Sequence, residues 1–175
     1  MRTIIIEQYD PTWPAEFEKI RNILYPYISD LIMDIRHVGS TSVPGLSAKP
    51  IIDFNIIIES YEIFPKLLER LEVLGYKHDG DGGIAGRERM KNGIRDGFID
   101  YHMYVCPKDS KEHLRQTAFR EYLKKYPNEA KEYGTLKIHL AKQFPHDIDS
   151  YVAGKHDFVE RIVDIAKKEG LYGKY

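Results

Sequence analysis

The sequence predicts an α+β fold. Three observations carry it: short β-branched runs are interspersed with helical patterns up to about residue 108, one of those runs alternates strictly, and everything after Ser110 has helical spacing. Ile4–Ile6 is a short β-branched run ended by Tyr9-Asp10-Pro11. Pro14 suits a first helical turn, and Phe17, Ile20, Ile23, Leu24 and Tyr27 recur at helical spacing behind it. Leu31 to Val38 reads as a strand leading into Gly39-Ser40. Pro50 to Glu59 is the clearest strand: Ile52, Phe54, Ile56 and Ile58 share the core face, which leaves Asp53 and Asn55 together on the other.

Tyr61 to Leu74 follows as a helix closed by Gly75, with Phe64, Leu67, Leu68 and Leu71 inward. Four glycines between Gly80 and Gly86 mark a flexible loop. Arg87–Lys91 and Phe98–Cys106 read as paired strands around Asn92-Gly93. In the second, Asp100, His102 and Tyr104 face away from Ile99, Tyr101, Met103 and Val105. Helices are expected over 111–125, 128–143 and 146–170, with breaks at Pro127 and Pro145. The 175 residues are expected to form a single domain, 1–175, with a sheet-containing core over 1–108 and a helical tail over 109–175 packed on it.

Composition narrows the function classes. Lys and Arg number 26 against 27 Asp and Glu, a formal net charge of -1, which gives no support to an extended nucleic-acid surface. Residues 106–175 hold 14 basic and 11 acidic side chains, so a mildly positive C-terminal part faces a mildly negative remainder. That division suits a small anionic ligand held between the two. Cys106 is the only cysteine, which excludes an intramolecular disulfide and fits a reducing cytoplasm. No apolar window reaches signal-peptide or membrane-spanning length, so the expected location is cytoplasmic. The oligomeric state is not legible.

Residues 37–55 are the stretch that folding explains least. Gly39 followed by Ser40, Thr41 and Ser42 offers exposed amides and hydroxyls to a phosphate, although an ordinary strand-to-loop turn uses the same residues. The loop lacks the Gly-Lys-Ser/Thr of a Walker A motif and the three-glycine spacing of a dinucleotide fold. Asp53 is a charge inside an apolar strand, costly unless it is paired, metal-bound or facing a cleft. A salt bridge to Lys49 or Arg87 is its structural alternative. If the strands carrying Asp53 and His102 are neighbours, then Asp53, Asn55, Asp100 and His102 converge on one polar surface. Such a surface could bind Mg²⁺ or use His102 as a general base. Tyr133/Lys137 and Tyr151/Lys155 each share a helix face, as do Arg120 and Lys124. They are either cations reaching a phosphate ligand or lysine stems lying over half-buried tyrosines.

The string from His37 to Asp53, His-Val-Gly-Ser-Thr-Ser-Val-Pro-Gly-Leu-Ser-Ala-Lys-Pro-Ile-Ile-Asp, resembles the signature of the GrpB family, placed within the nucleotidyltransferase superfamily. Tyr9-Asp-Pro-x-Trp13, Gly86-Arg87, His102-x-Tyr104, Ala118-Phe-Arg-x-Tyr-Leu123 and the two Tyr-x-x-x-Lys pairs extend the resemblance over nearly the whole chain. It implies a nucleotidyltransferase-like mixed β-sheet flanked by helices, with a helical C-terminal region. It also implies a Gly-Ser turn on nucleotide phosphates, an Asp-x-Asp pair on Mg²⁺, and a third carboxylate on a later strand. Carried onto this chain, Gly39 and Ser40 match the turn and Asp53 one metal carboxylate. Asn55 stands where the second carboxylate would be, with His102 or Asp100 near the third.

The activity so implied is Mg²⁺-dependent transfer of a nucleoside monophosphate from a nucleoside triphosphate to an acceptor. Asp53, Asn55 and Asp100 would hold the metal, and His102 would orient or deprotonate the acceptor hydroxyl. Ser40, Thr41, Ser42, Lys49, Arg87, Arg120, Lys137 and Lys155 would hold the phosphates. The alternative, favoured by Asn55, is a non-catalytic protein binding a nucleotide or another small phosphorylated metabolite.

Overall fold

The computed structural model describes residues 3–173, so two residues at each end of the expected 1–175 span lie outside the described residues. Helix α1 (Trp13–Ile28) opens with Pro14 in its first turn, and Trp13, Phe17, Ile20, Leu24 and Ile28 form its buried stripe. Five strands follow: β1 (Asp34–Val38), β2 (Ile52–Ile58), β3 (Tyr76–His78), β4 (Glu88–Asn92) and β5 (Tyr101–Pro107). Helix α2 (Phe64–Val73) lies between β2 and β3. The sheet order is β1-β2-β5-β4-β3; β2 and β5 run parallel, and the other pairs run antiparallel. The expected mixed, helix-flanked sheet is what the chain forms.

The two faces of β2 are buried by different elements. Ile52, Phe54, Ile56 and Ile58 have no exposed surface and pack with α1, α2, Met103 and Val105 in the main apolar cluster. On the reverse face, Asn55 and Ile57 are also buried, while Asp53 is only partly so. The cover is α3 (Lys111–Lys125), which packs on β1 and β5. Ser110 caps α3 by accepting the His113 N–H at 3.1 Å. Ser110→Ala is expected to cost about 1 kcal/mol, read as a lower urea midpoint at unchanged slope.

Helices α4 (Pro127–Gln143), α5 (Ile148–Ala153) and α6 (His156–Lys168) complete the chain. Ala118, Tyr122, Leu123, Ala130, Tyr133, Ile162 and Ala166 form a second cluster. Val43 and Leu46, from the segment between β1 and β2, are part of it. That segment is therefore clamped between the sheet and the C-terminal helices. A two-way bridge between Glu7 and Ala48 (2.8 and 2.9 Å) holds its far end.

Two expected elements need correction, one β-branched run stays outside the sheet, and one strand was not expected. Ile4–Ile6 forms no strand with the sheet; its role is played by the Glu7–Ala48 bridge and by Ile4 N–H donating to the Pro145 carbonyl at 2.9 Å. The strand expected from Leu31 begins at Asp34, because Leu31 N–H closes a turn onto Ile28. The single helix expected over 146–170 is two, broken after Gly154, whose backbone lies against the Leu140 side chain. Strand β3 has no counterpart among the expected elements. It is three residues long and shows the core only Tyr76.

Candidate functional site

The turn after β1 is built around Gly39, which adopts φ +70° and ψ -175°, a conformation open essentially only to glycine. A Cβ at this position would stand 2.7 Å from Asp53 Oδ2. The backbone of the turn thus lies directly on the Asp53 carboxylate. Residues 40–42 then make one 3₁₀ turn, in which Ser42 Oγ donates to the Gly39 carbonyl at 2.6 Å. Thr41 is buried and its hydroxyl meets His37 Nε2 at 2.9 Å. Burial, against the pull of Asp53, lowers the His37 pKa to about 4, so the ring is neutral at physiological pH. The ring stacks on Phe17 with centroids 4.8 Å apart.

Because β2 and β5 are parallel neighbours in register, Asp53 stands beside His102. Asp53 Oδ1 accepts from His102 Nδ1 at 2.9 Å. A carboxylate acceptor fixes the proton on Nδ1 and leaves Nε2 as the ring's second face. The histidine side chain is half exposed, the aspartate one third.

A cavity of about 170 Å³ opens above this pair, lined by Ser40, Thr41, Lys49, Asp53, His102, Lys137, Tyr151 and Lys155, with Ala48 and Ile51. Three lysines from three different parts of the chain meet here: Lys49 from the clamped segment, Lys137 from α4, and Lys155 from the α5–α6 junction. Lys137 is 2% exposed, and its Nζ has no hydrogen-bond partner. It lies 4.7 Å from the Tyr133 ring centroid. Burial first, then Lys155 and Lys49, pull its pKa down to about 7, with Asp53 opposing. Burial and Lys49 likewise lower Lys155 to about 8. Lys155 and Lys49 flank Tyr151 at 4.6 and 5.4 Å from its ring centroid. In each Tyr-x-x-x-Lys pair the ammonium lies over its tyrosine ring and the lysine lines the cavity.

The remaining expected site residues lie elsewhere. Asn55 is fully buried beneath α3, where Nδ2 donates to Gln116 Oε1 at 2.7 Å and meets His113 Nδ1 at 3.4 Å. The expectation that it shares a metal with Asp53 fails, because α3 covers one of the two residues and not the other. Asp100 is exposed, precedes β5, and is not part of the cavity wall. Arg87 lies 4.3 Å from the Tyr104 ring centroid and donates to the Asp81 carbonyl at 3.3 Å. Arg120 donates to the His37 carbonyl at 2.6 Å, and with Ser42 it lines a neighbouring groove on the other side of the turn. One wall residue was not expected to matter: Tyr151 counted only as a companion to Lys155. Thr41's partner His37 stands outside the wall and opens the string from His37 to Asp53.

The donor set bears on Mg²⁺. Magnesium is held through one or two carboxylates, water and ligand phosphates in octahedral geometry. Asp53 is the one carboxylate in the cavity wall, already bonded to His102 and facing three ammonium-bearing side chains. Among the described residues, no group of three or more His, Cys, Asp or Glu side chains could hold a metal ion. These residues do not fit a resident magnesium ion.

Comparison with known proteins agrees with the architecture. A family model described as GrpB protein matches residues 3–164. The UPF0157 protein YqkA of Bacillus subtilis is 36% identical over 167 residues, covering 95% of this chain and 48% of the relative; the chain thus spans about half of that protein. The crystal structure of the conserved protein GrpB from Enterococcus faecalis superposes with a TM-score of 0.82 at 37% identity, covering 94% of this chain and 98% of that one. A structure of Cid1 in complex with its short product ApU aligns with a TM-score of 0.55 at 13% identity, over 78% of this chain and 43% of that one. At that identity the likeness is one of fold. No helix among the described residues is long and apolar enough to cross a membrane.

Proposed function

We propose a function from one premise: the chain belongs to the GrpB family. Its cleft binds the phosphate groups of a nucleoside triphosphate or another small phosphorylated ligand. The observation that carries this reading is Lys137, a buried ammonium with no hydrogen-bond partner, aimed at a cavity it shares with Lys49 and Lys155. A buried charge without a counterion costs several kcal/mol and persists where something else requires it. An anion in the cavity supplies the missing partner, while Ser40 and Thr41 supply hydroxyls. Structures of Cid1 with a UTP analogue and with other nucleotides share the fold, which supports a nucleotide as the ligand.

Thermal-shift titration with the four nucleoside triphosphates and with pyrophosphate tests the proposal. A ligand at about one hundred times its Kd should add about 2.7 kcal/mol of stability. No saturable stabilisation by any of the five at millimolar concentration would sink the reading. The pH dependence gives an independent check. In the free protein Lys137 and Lys155 are protonated below about 7 and lose their protons as pH rises through about 7 and 8. A bound anion restores ordinary lysine pKa values, so binding takes up protons above pH 7. Affinity should be flat below about pH 7 and fall by about tenfold or more towards pH 9, as protonation must be supplied from solution.

The Asp53–His102 bond favours a second reading, nucleotidyl transfer. With Nδ1 held by the carboxylate, Nε2 is the acceptor that takes a proton from an acceptor hydroxyl. The hydroxyl oxygen forms a bond to the α-phosphorus as the bond to pyrophosphate breaks, and the lysines hold the departing charge. Pyrophosphate release that is lost in His102→Ala, with ligand affinity retained, would distinguish transfer from binding alone.

A further inference from the structure

Three features of the cleft go beyond the presence of phosphate. First, positive charge dominates it: Lys49, Lys137 and Lys155 line the same cavity as a single carboxylate, Asp53. Second, that carboxylate is engaged by His102, and the residue two positions on, Asn55, is turned under α3. Third, the cavity has no place for a base. Its volume of about 170 Å³ is below the ~300–1,000 Å³ of pockets that enclose drug-sized ligands. The Tyr151 ring is 1% exposed and flanked by Lys49 and Lys155, and the other ring in the wall, the His102 imidazole, is tied to Asp53.

We propose that this cleft recognises a di- or triphosphate chain itself, taken up without a divalent metal and without readout of the attached base. The proposal rests on the phosphate-binding reading above and narrows it. Three ammonium groups perform the neutralisation for which metal-dependent sites use Mg²⁺. A magnesium ion on the ligand removes two of its negative charges and brings a dication among like charges, which lowers the attraction. A chain brings more oxygens and more charge to the three lysines than a single phosphate does, so chain length sets affinity and the nucleoside projects into solvent.

Isothermal titration with inorganic tripolyphosphate, pyrophosphate, orthophosphate, ATP and UTP, each in EDTA and in excess magnesium chloride, tests this. In EDTA, tripolyphosphate, ATP and UTP should bind within about threefold of one another, and orthophosphate about tenfold or more weakly. Excess magnesium should weaken tripolyphosphate by about tenfold. Lys155→Met should weaken it by about tenfold, since a charge-assisted contact is lost, with an unchanged circular dichroism spectrum confirming the fold. Asp53→Asn should strengthen it, because the substitution removes the one opposing charge; a metal-dependent site would respond with the opposite sign. Binding that requires magnesium, or a preference for one base beyond about tenfold, overturns the proposal and leaves the phosphate-binding reading standing. Failure of all five ligands in both conditions overturns that reading itself.

Discussion

Replacing Lys137 with methionine is expected to make the protein more stable and to destroy its affinity for phosphate ligands. Methionine keeps an unbranched stem at a residue that is 2% exposed, and it removes an ammonium that lies over the Tyr133 ring and lacks a hydrogen-bond partner. The gain should be on the order of 2 kcal/mol, and so about 5 °C in Tm for a chain of this size. Its pH dependence separates charge from packing. The folded-state pKa lies at about 7, against 10.5 for the unfolded chain. Below about 7 both states are protonated and the full penalty of burying the charge is present. Between about 7 and 10.5 the unfolded state binds more protons, so wild-type stability rises with pH. The advantage of methionine should therefore be largest below pH 7 and shrink towards pH 10. A Lys137→Met protein less stable than wild type throughout would show that the contact of the ammonium with the Tyr133 ring outweighs the cost of burying it. Affinity for tripolyphosphate should fall by about tenfold to a hundredfold in the same variant. Stability and binding moving in opposite directions is the signature of a group kept for its ligand.

Much of this arrangement was legible in the residues, and its limits have physical causes. The alternation of β2 correctly predicts which side chains face the core, since a period of two is a local property of the backbone. It also places Asp53 and Asn55 on one face, which is true and yet misleading. Their different fates are set by where α3 crosses the sheet, a tertiary fact that no periodicity encodes. The same holds for the lysines. Tyr-x-x-x-Lys spacing identifies the helix face that Lys137 shares with Tyr133, while Lys155 lies past the end of the Tyr151 helix; their meeting with Lys49 depends on how α4, the α5–α6 junction and the clamped segment pack. Strand β3 escaped because Lys77 and His78 point outward, which leaves one core residue and no pattern. The break after α5 escaped because Gly154 keeps helical φ and ψ and the apolar spacing runs on through it. The Asp53–His102 pair was conditional on two strands being neighbours, and the parallel β2–β5 register meets that condition.

Gly39→Ala is expected to act in the opposite sense to Lys137→Met, lowering stability and disturbing the site together. Two costs are separable. The backbone at φ +70° and ψ -175° is strained for any residue with a Cβ, by about 1–3 kcal/mol. The new methyl group would also stand 2.7 Å from Asp53 Oδ2 and 3.0 Å from Asp53 Cβ, so the carboxylate must move from His102 or the turn must move from the strand. A double-mutant cycle with Asp53→Ala separates the carboxylate's share, because truncation removes the 2.7 Å contact and leaves the backbone strain and the 3.0 Å contact with Cβ. Chemical denaturation should show the single Gly39→Ala substitution costing about 3 kcal/mol and the pair costing about 1 kcal/mol less than the sum of the singles. Strict additivity would mean that the turn, and not the carboxylate, gives way. In that case the His102 Nδ1–H signal should appear in Gly39→Ala as it does in wild type, by NMR. If instead Asp53 is displaced, that signal should move or vanish as in Asp53→Ala, since both lose the same Nδ1 acceptor. The glycine is then required for two reasons with one structural origin: only a residue without a side chain lets the turn lie on the carboxylate that orients His102.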